Sequence, residues 1–230
     1  MMKKYLFPAI LGIVGCAILI NLGMWQLRRL AWKEAMLAEI SAQINDTPVE
    51  LPTVPEDPAS LKYLPVVTPG ATTGEEILML TGRQGQGAGY EVISAFETGD
   101  GRRILVDRGF LREVDRYAER PAVPLVVRGN LHWPEEADSY TPEPDLAAGV
   151  WYARDVERMA AHLKTEPILI VASAVEGDLQ SVDPNPITIT GIKNDHKGYA
   201  ITWFLLATVW AGMTLLFTWR IRRQGISRRD

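Results

Sequence analysis

Cysteine is almost missing from this chain of 230 residues: Cys16 is the single one. No disulfide can form within the chain, and no CxxC pair offers thiolates to copper or zinc. Histidine is scarce as well. His132, His162 and His196 are too few and too scattered for a zinc site. There is no GxSxG and no Cys–His pairing, so no nucleophile is set up for covalent catalysis. "RQGQGAG" (83–89) lacks the Lys–Ser/Thr of a phosphate loop and no helix follows it, so it reads as a turn. Internal repeats and low-complexity tracts are absent. Nothing here needs to break a bond, and the expectation is a protein that is not an enzyme.

Charge is missing from two long stretches. Tyr5 to Leu27 gives 23 residues without one, and Tyr199 to Trp219 gives 21. At 1.5 Å per residue, each is long enough to cross a hydrocarbon core of about 30 Å. Lys or Arg flanks both runs, and Tyr5, Trp25, Tyr199 and Trp219 sit near their ends, the pattern of an interfacial belt. Two transmembrane helices, 5–27 and 199–219, are expected. Elsewhere charge is segregated. Residues 1–30 and 201–230 hold 9 Lys and Arg and one acid, Asp230; residues 31–200 hold 15 basic and 27 acidic groups. The acidic middle argues against a nucleic-acid partner.

Two spans put both ends on one side. Lys3 and Lys4 (residues 1–4) and the five arginines of the tail (220–230) outnumber the five basic residues near the opposite mouths, so the ends are placed in the cytoplasm. The domain 28–198 then faces the periplasm or the outside of a bacterial cytoplasmic (inner) membrane. No Arg- and Ser-rich transit segment precedes it. One feature competes: "IVGC" (13–16) resembles a lipoprotein processing site and would make a lipid-modified surface protein.

The texture of the middle is α+β. "LRRLAWKEAMLAEISAQI" (27–44) has no Gly or Pro and carries Leu30, Leu37, Ile40 and Ile44 near a 3.6 period, so the first helix runs on beyond the membrane. Pro48, Pro52, Pro55 and Pro58 end it. Strand-like runs follow at 76–80, 90–96, 103–110, 123–133 and 167–173, with "PITITG" (186–191) as a possible last strand. "ETGDG" (97–101) suits a hairpin turn, and "DVERMAAHLK" (155–164) is a short helix. The expectation is an antiparallel sheet or small barrel with a short helix, flanked by the two spans. Arg108 is expected to pair structurally with an acid such as Glu91 or Asp155, and His132 and His162 to be ordinary surface or core residues.

His196 stands out by position. Capped by Asn194 or Asp195, it falls in the first turn of the second span, where the helix dipole favours the neutral, metal-ligating ring. His196, Tyr199 and Trp203 share one face, and Trp210 extends it. Two readings stay open: a polar cap on an aromatic belt, or an axial ligand to a planar, apolar cofactor such as haem. The outer end of the first span, "GMWQLRRLAWK" (23–33), puts Trp25 and Trp32 on one face with Arg28 and Arg29 beside it. These arginines either stack on the indoles and reach lipid phosphate or pair with ligand carboxylates.

Five stretches in order resemble the Surfeit locus protein family of cytochrome oxidase assembly factors: "GMWQLRRLAWK", "GYEVISAF", "RILVDRGF", "WYARDVERMA" and "NDHKGYAITWFLLA". The resemblance covers nearly the whole chain. It implies a factor that assists maturation of a haem–copper terminal oxidase (cytochrome c oxidase), with oxidase subunit I, a haem a synthase and membrane lipid as partners. Bacterial members are thought to bind haem a, and the family's second-helix histidine maps onto His196. Arg28 and Arg29 would meet the propionates, and Trp25, Trp32, Tyr199 and Trp203 would line the ring. Lys197 stands where the family usually has an apolar residue, and Asp107 and Phe110 replace the usual Asn and Trp. The rival function is a cofactor-free scaffold for a nascent oxidase subunit.

Overall fold

The computed structural model describes residues 3–53, 58–190 and 192–226. Part of the proline-rich linker (54–57), Gly191 of "PITITG", Met1, Met2 and the tail residues 227–230 lie outside the described residues. In chain order the elements are α1 (Lys3–Ile44), β1 (Val49–Glu50), β2 (Pro65–Arg83), β3 (Gly87–Thr98), β4 (Arg103–Arg112), β5 (Pro124–Leu131), β6 (Val150–Trp151), α2 (Val156–Leu163), β7 (Leu169–Gly177) and α3 (His196–Ile226). Two compact units result: Met1–Glu39 with Thr190–Asp230, and Ile40–Ile189.

The first unit is a pair of helices whose surface is apolar. Leu6–Ile44 and His196–Arg223 are long and apolar enough to cross a membrane, with mean hydropathies of 2.2 and 1.8 over their best windows, and only 11% of either window is buried. Phe7, Ile13, Ile18, Leu205, Val209, Met213 and Leu215 all face outward. A sheath of this kind is stable in hydrocarbon and not in water, which fits a membrane protein. As expected, α1 continues without a break to Ile44.

The second unit is a closed five-stranded barrel. β2 pairs with β3, β3 with β4, β4 with β7, β7 with β5, and β5 returns to β2. The β4–β7 contact is parallel and the other four are antiparallel. β2 can serve two neighbours because it is 19 residues long and bends, with a register shift between Thr72 and Glu76. Gly70 and Gly74 make the bend. A Cβ on Gly70 would stand 2.5 Å from the Phe96 ring, and Gly74 has φ +84°. The barrel interior holds Val66, Phe96, Ile104, Val106, Leu125, Val127, Leu131, Ile168 and Ile170, drawn from all five strands and the approach to β7. Outside it, Val156, Met159, Ala160 and Leu163 of α2 cover Ile77, Ile93, Leu105 and Leu169. Strands 3, 4 and 7 are therefore apolar on both faces, which explains their unbroken hydrophobic runs. Asp155 caps α2 by accepting from Arg158 N at 3.1 Å. "PITITG" forms no strand among its described residues. Its upstream neighbour Asp183 makes a single bridge to Phe110, and the chain then runs on as loop.

Arg108 does not pair with Glu91 or Asp155. It is buried, and its guanidinium donates to Gln180 Oε1 and Leu179 O, both at 3.0 Å, pinning the loop after β7. Asp107, next to it on the opposite face, receives Arg154 at 3.1 Å, and Arg154 also holds Glu136. Glu91 is buried beside Asp107, with one oxygen accepting from Asn185 at 2.6 Å. Arg154 thus serves two carboxylates, and Glu91 has no ion-pair partner of its own among the described residues. Burial first, and then the neighbouring Asp107 charge, push Glu91 up to about 8, so its carboxyl keeps a proton at neutral pH.

That proton predicts a pH dependence. A carboxyl raised in the folded state adds stability that is full below about 4.5 and is lost as pH climbs through about 8. His132 works in the opposite sense but mainly lower down, because burial holds it near 4 and the unfolded ring loses its proton around 6.5. From pH 6.5 to 8, unfolding free energy should therefore fall by about 1 kcal/mol, because the full slope of about 1.4 kcal/mol per unit halves as the pH reaches about 8. Glu91→Gln should flatten the slope in thermal melts over that range; an unchanged slope refutes the assignment.

Candidate functional site

The site sits on the seam between α1 and α3. Buried or half-buried positions along α1 recur at Gly12, Cys16, Leu19, Gly23, Gln26, Leu30 and Lys33, in steps of three and four. That period is the mark of two helices packed side by side. Glycine is what lets them approach. A Cβ on Gly12 would strike Thr214, one on Gly15 the Trp210 indole, and one on Gly23 the Phe204 ring at 2.7 Å. Ala200 and Ala207 of α3 are the buried small residues on the other side. Cys16 lies in this seam, its Sγ 3.8 Å from Ala207 O. The contacts climb α1 as they descend α3, so the pair is antiparallel.

At its outer end the seam turns polar. Tyr199 N donates to Asp195 O at 3.1 Å, so Asp195 opens α3 and His196 stands in its first turn. His196 Nδ1 lies 2.7 Å from Gln26 Oε1, a bond across 170 residues of sequence. Gln26 is 9% exposed. Two turns further out along α1, the Lys33 ammonium donates to Lys193 O, tying the approach to α3 against α1. Asn194 Oδ1 is buried there without a hydrogen-bond partner among the described residues.

Helical phase sorts the aromatic and basic residues around this bond. At about 100° per residue, Trp25, Arg29 and Trp32 fall on the flank of α1 about 60–120° from Gln26. Tyr199 is about 60° from His196 in the same sense, and the antiparallel pairing puts these flanks on one side of the seam. Trp25, Trp32 and Tyr199 are about half exposed, at 53%, 50% and 58%. Arg29 lies over the Trp32 ring, 4.0 Å from its centroid. Trp203 is half-buried nearer the seam, and Trp210 packs on Gly15 further in. Arg28 is not brought into this group. It is about 160° from Gln26, exposed, and its Nε donates to Met24 O at 3.4 Å. Neither arginine has a carboxylate partner among the described residues. Lys197, beside the histidine, is exposed.

Gln26 is the residue that sequence reasoning missed. Its signal was available: an amide in an uncharged run, three residues after Gly23 and four before Leu30, on the face that must pack. His132 and His162 take no part. His132 stacks on Tyr63 with ring centroids 5.4 Å apart, and His162 packs on Trp151 at 5.9 Å. Among the described residues no three His, Cys, Asp or Glu side chains gather as a metal site.

Two apolar helices flanking a closed β-barrel, with an amide-held histidine at the mouth of the helix pair, define a membrane-anchored β-barrel protein. Residues 13–208 match the SURF1 family. A SURF1-like protein of Monosiga brevicollis is 28% identical over 230 residues, covering 90% of this chain and 85% of the relative. A SURF1-like protein of Rickettsia felis is 29% identical, covering 85% of this chain and 89% of its own length. Surfeit locus protein 1 of Rattus norvegicus is 29% identical over 80% of this chain and 67% of its own. The chain belongs to the SURF1 family.

The glycine seam makes a prediction. With Ala207→Cys added, Cys16 should cross-link to it under mild oxidation or with a short bis-maleimide. Gly15→Leu or Gly23→Leu should abolish the cross-link, because overpacking costs about 1–3 kcal/mol and moves the helices apart. Full cross-linking in both leucine variants contradicts this packing.

Proposed function

We propose that this protein is an assembly factor for a haem–copper terminal oxidase, holding haem a at the outer leaflet for insertion into subunit I. The observation that carries the reading is the His196 ring, held through Nδ1 by Gln26 at the mouth of the two helices. That bond leaves Nε2 for another partner. A bare metal ion needs three or four protein ligands; an iron porphyrin brings four nitrogens of its own, and one imidazole is enough. The neighbours have the matching chemistry. Trp25, Trp32 and Tyr199 offer exposed aromatic faces to a flat apolar ring, and Trp203 closes the seam side. Arg29 supplies a cation for a propionate, and it fits that role better than Arg28, which phase turns away.

Haem supplies the iron and the chromophore; the chain supplies position. His196 would fix the iron at the level of the helix mouth. The apolar sheath of α1 and α3 would keep the ring in the hydrocarbon edge, and Arg29 would orient its carboxylates toward water. Oxidase subunit I and a haem a synthase are the partners this reading asks for, in a bacterial cytoplasmic membrane with the barrel outside.

The test is a haem a titration of purified full-length protein, normalised to folded material. His196→Ala should abolish binding or change the absorption spectrum outright. Arg29→Ala should weaken binding a few-fold, since an exposed pair is worth about 0–1 kcal/mol, and Arg28→Ala should bind like the parent. Unchanged binding and spectrum in His196→Ala would leave a cofactor-free scaffold as the better reading. Orientation has its own check. Reporter fusions at Pro58 and after Asp230 should report opposite sides of the membrane; matching signals rule out two spans.

A further inference from the structure

Gln26 is an expensive residue to keep where it is. It lies in the uncharged run of α1, nine-tenths buried, on the face that packs against α3. An amide in such surroundings without a partner is destabilising, whereas a leucine would fill the same seam with no polar group to satisfy. Its partner is the His196 ring alone among the described side-chain contacts, at 2.7 Å. A neutral imidazole has one N–H, and a carbonyl oxygen can only accept. With Oε1 facing Nδ1, the hydrogen must sit on Nδ1 and the lone pair on Nε2. Free imidazole side chains in water favour the opposite tautomer, so this one is imposed by the fold.

The geometry points to Gln26 as a positioning residue that fixes His196 in the Nδ1–H form and aims the Nε2 lone pair away from α1, toward the ligand. This rests on the reading of His196 as the iron ligand. Metal-binding histidines are commonly oriented in this way by a carbonyl or carboxylate on the far nitrogen. The choice of a neutral amide has a consequence. A carboxylate would draw the Nδ1 proton strongly and make the ring a powerful donor to iron. An amide draws it weakly, giving a bond firm enough to orient haem and loose enough to give it up. Gln26 also couples ligand geometry to helix packing, because the same seam that buries Gly23 and Ala200 sets how far the amide reaches.

The tautomer can be read directly in the full-length protein without haem, in lipid nanodiscs, by ¹⁵N-histidine NMR. The chain has three histidines, and the His196 signals are those lost in His196→Ala. The expected pattern is Nδ1–H in the parent and a return to Nε2–H in Gln26→Leu. In haem a titrations Gln26→Leu should raise Kd by about 10–100-fold and shift the absorption bands. Gln26→Glu should restore binding and lower the midpoint potential of the iron. An Nε2–H ring in the parent, or parental Kd and potential in Gln26→Leu, overturns the assignment. The two ideas fail separately. Haem retained by His196→Ala removes the ligand reading; haem lost in His196→Ala but kept by Gln26→Leu removes only the role of Gln26.

Discussion

Gly12, Gly15 and Gly23 put no side chain between α1 and α3, and the close approach that results sets everything at the mouth of the pair. In hydrocarbon there is no hydrophobic drive to join two apolar helices, so contact has to come from fit and from hydrogen bonds. Thr214, Trp210 and Phe204 fill the space the glycines leave. Gln26 and His196 then meet at 2.7 Å. A helix pair held a methyl group further apart would keep both residues and lose the bond. The position of a ring nitrogen at one end thus depends on missing side chains along the length of the seam.

The barrel unit solves a different problem. Its strands are covered on two faces by apolar residues, and the polar groups between them must be matched from within. Arg154 serves Asp107 and Glu136, and Arg108 pins the loop after β7 through Gln180 and Leu179. Glu91 is left to keep its proton. It stands where the pairing of β3 with β4 shifts, between Glu91 and Ile93.

Much of this was readable in the residues because it rests on local physics. An uncharged run of membrane length declares a span, and the absence of Gly and Pro from 27–44 announces the continuation of α1. Unbroken apolar runs gave strands 3, 4 and 7, and the resemblance of five motifs gave the family. What escaped depends on partners distant in sequence. Residues 65–75, with Pro69, Gly70 and Gly74, lie outside the strand-like runs expected from the sequence, yet they belong to the half of β2 that closes the barrel against β5. "PITITG" alternates like a strand, but the closed barrel offers it no ladder. Arg108 had two plausible acids nearby in sequence logic, and its real acceptors lie some 70 residues on. For the site, His196 was found from its place at a helix mouth. Gln26 was not, because a lone amide shows its purpose only when the opposite helix is present.

The bond between Gln26 and His196 also fixes an order of events during synthesis. The glutamine leaves the ribosome 170 residues before the histidine. In between come all seven strands and α2, which must be made before the second helix exists. A nascent chain therefore carries an amide whose oxygen has no imidazole N–H to accept from until α3 inserts beside α1. Until that moment the protein has no oriented imidazole to offer. The link between the two helices is therefore made last, by the completion of membrane insertion, so a truncated or half-inserted chain lacks the held imidazole that finished copies carry.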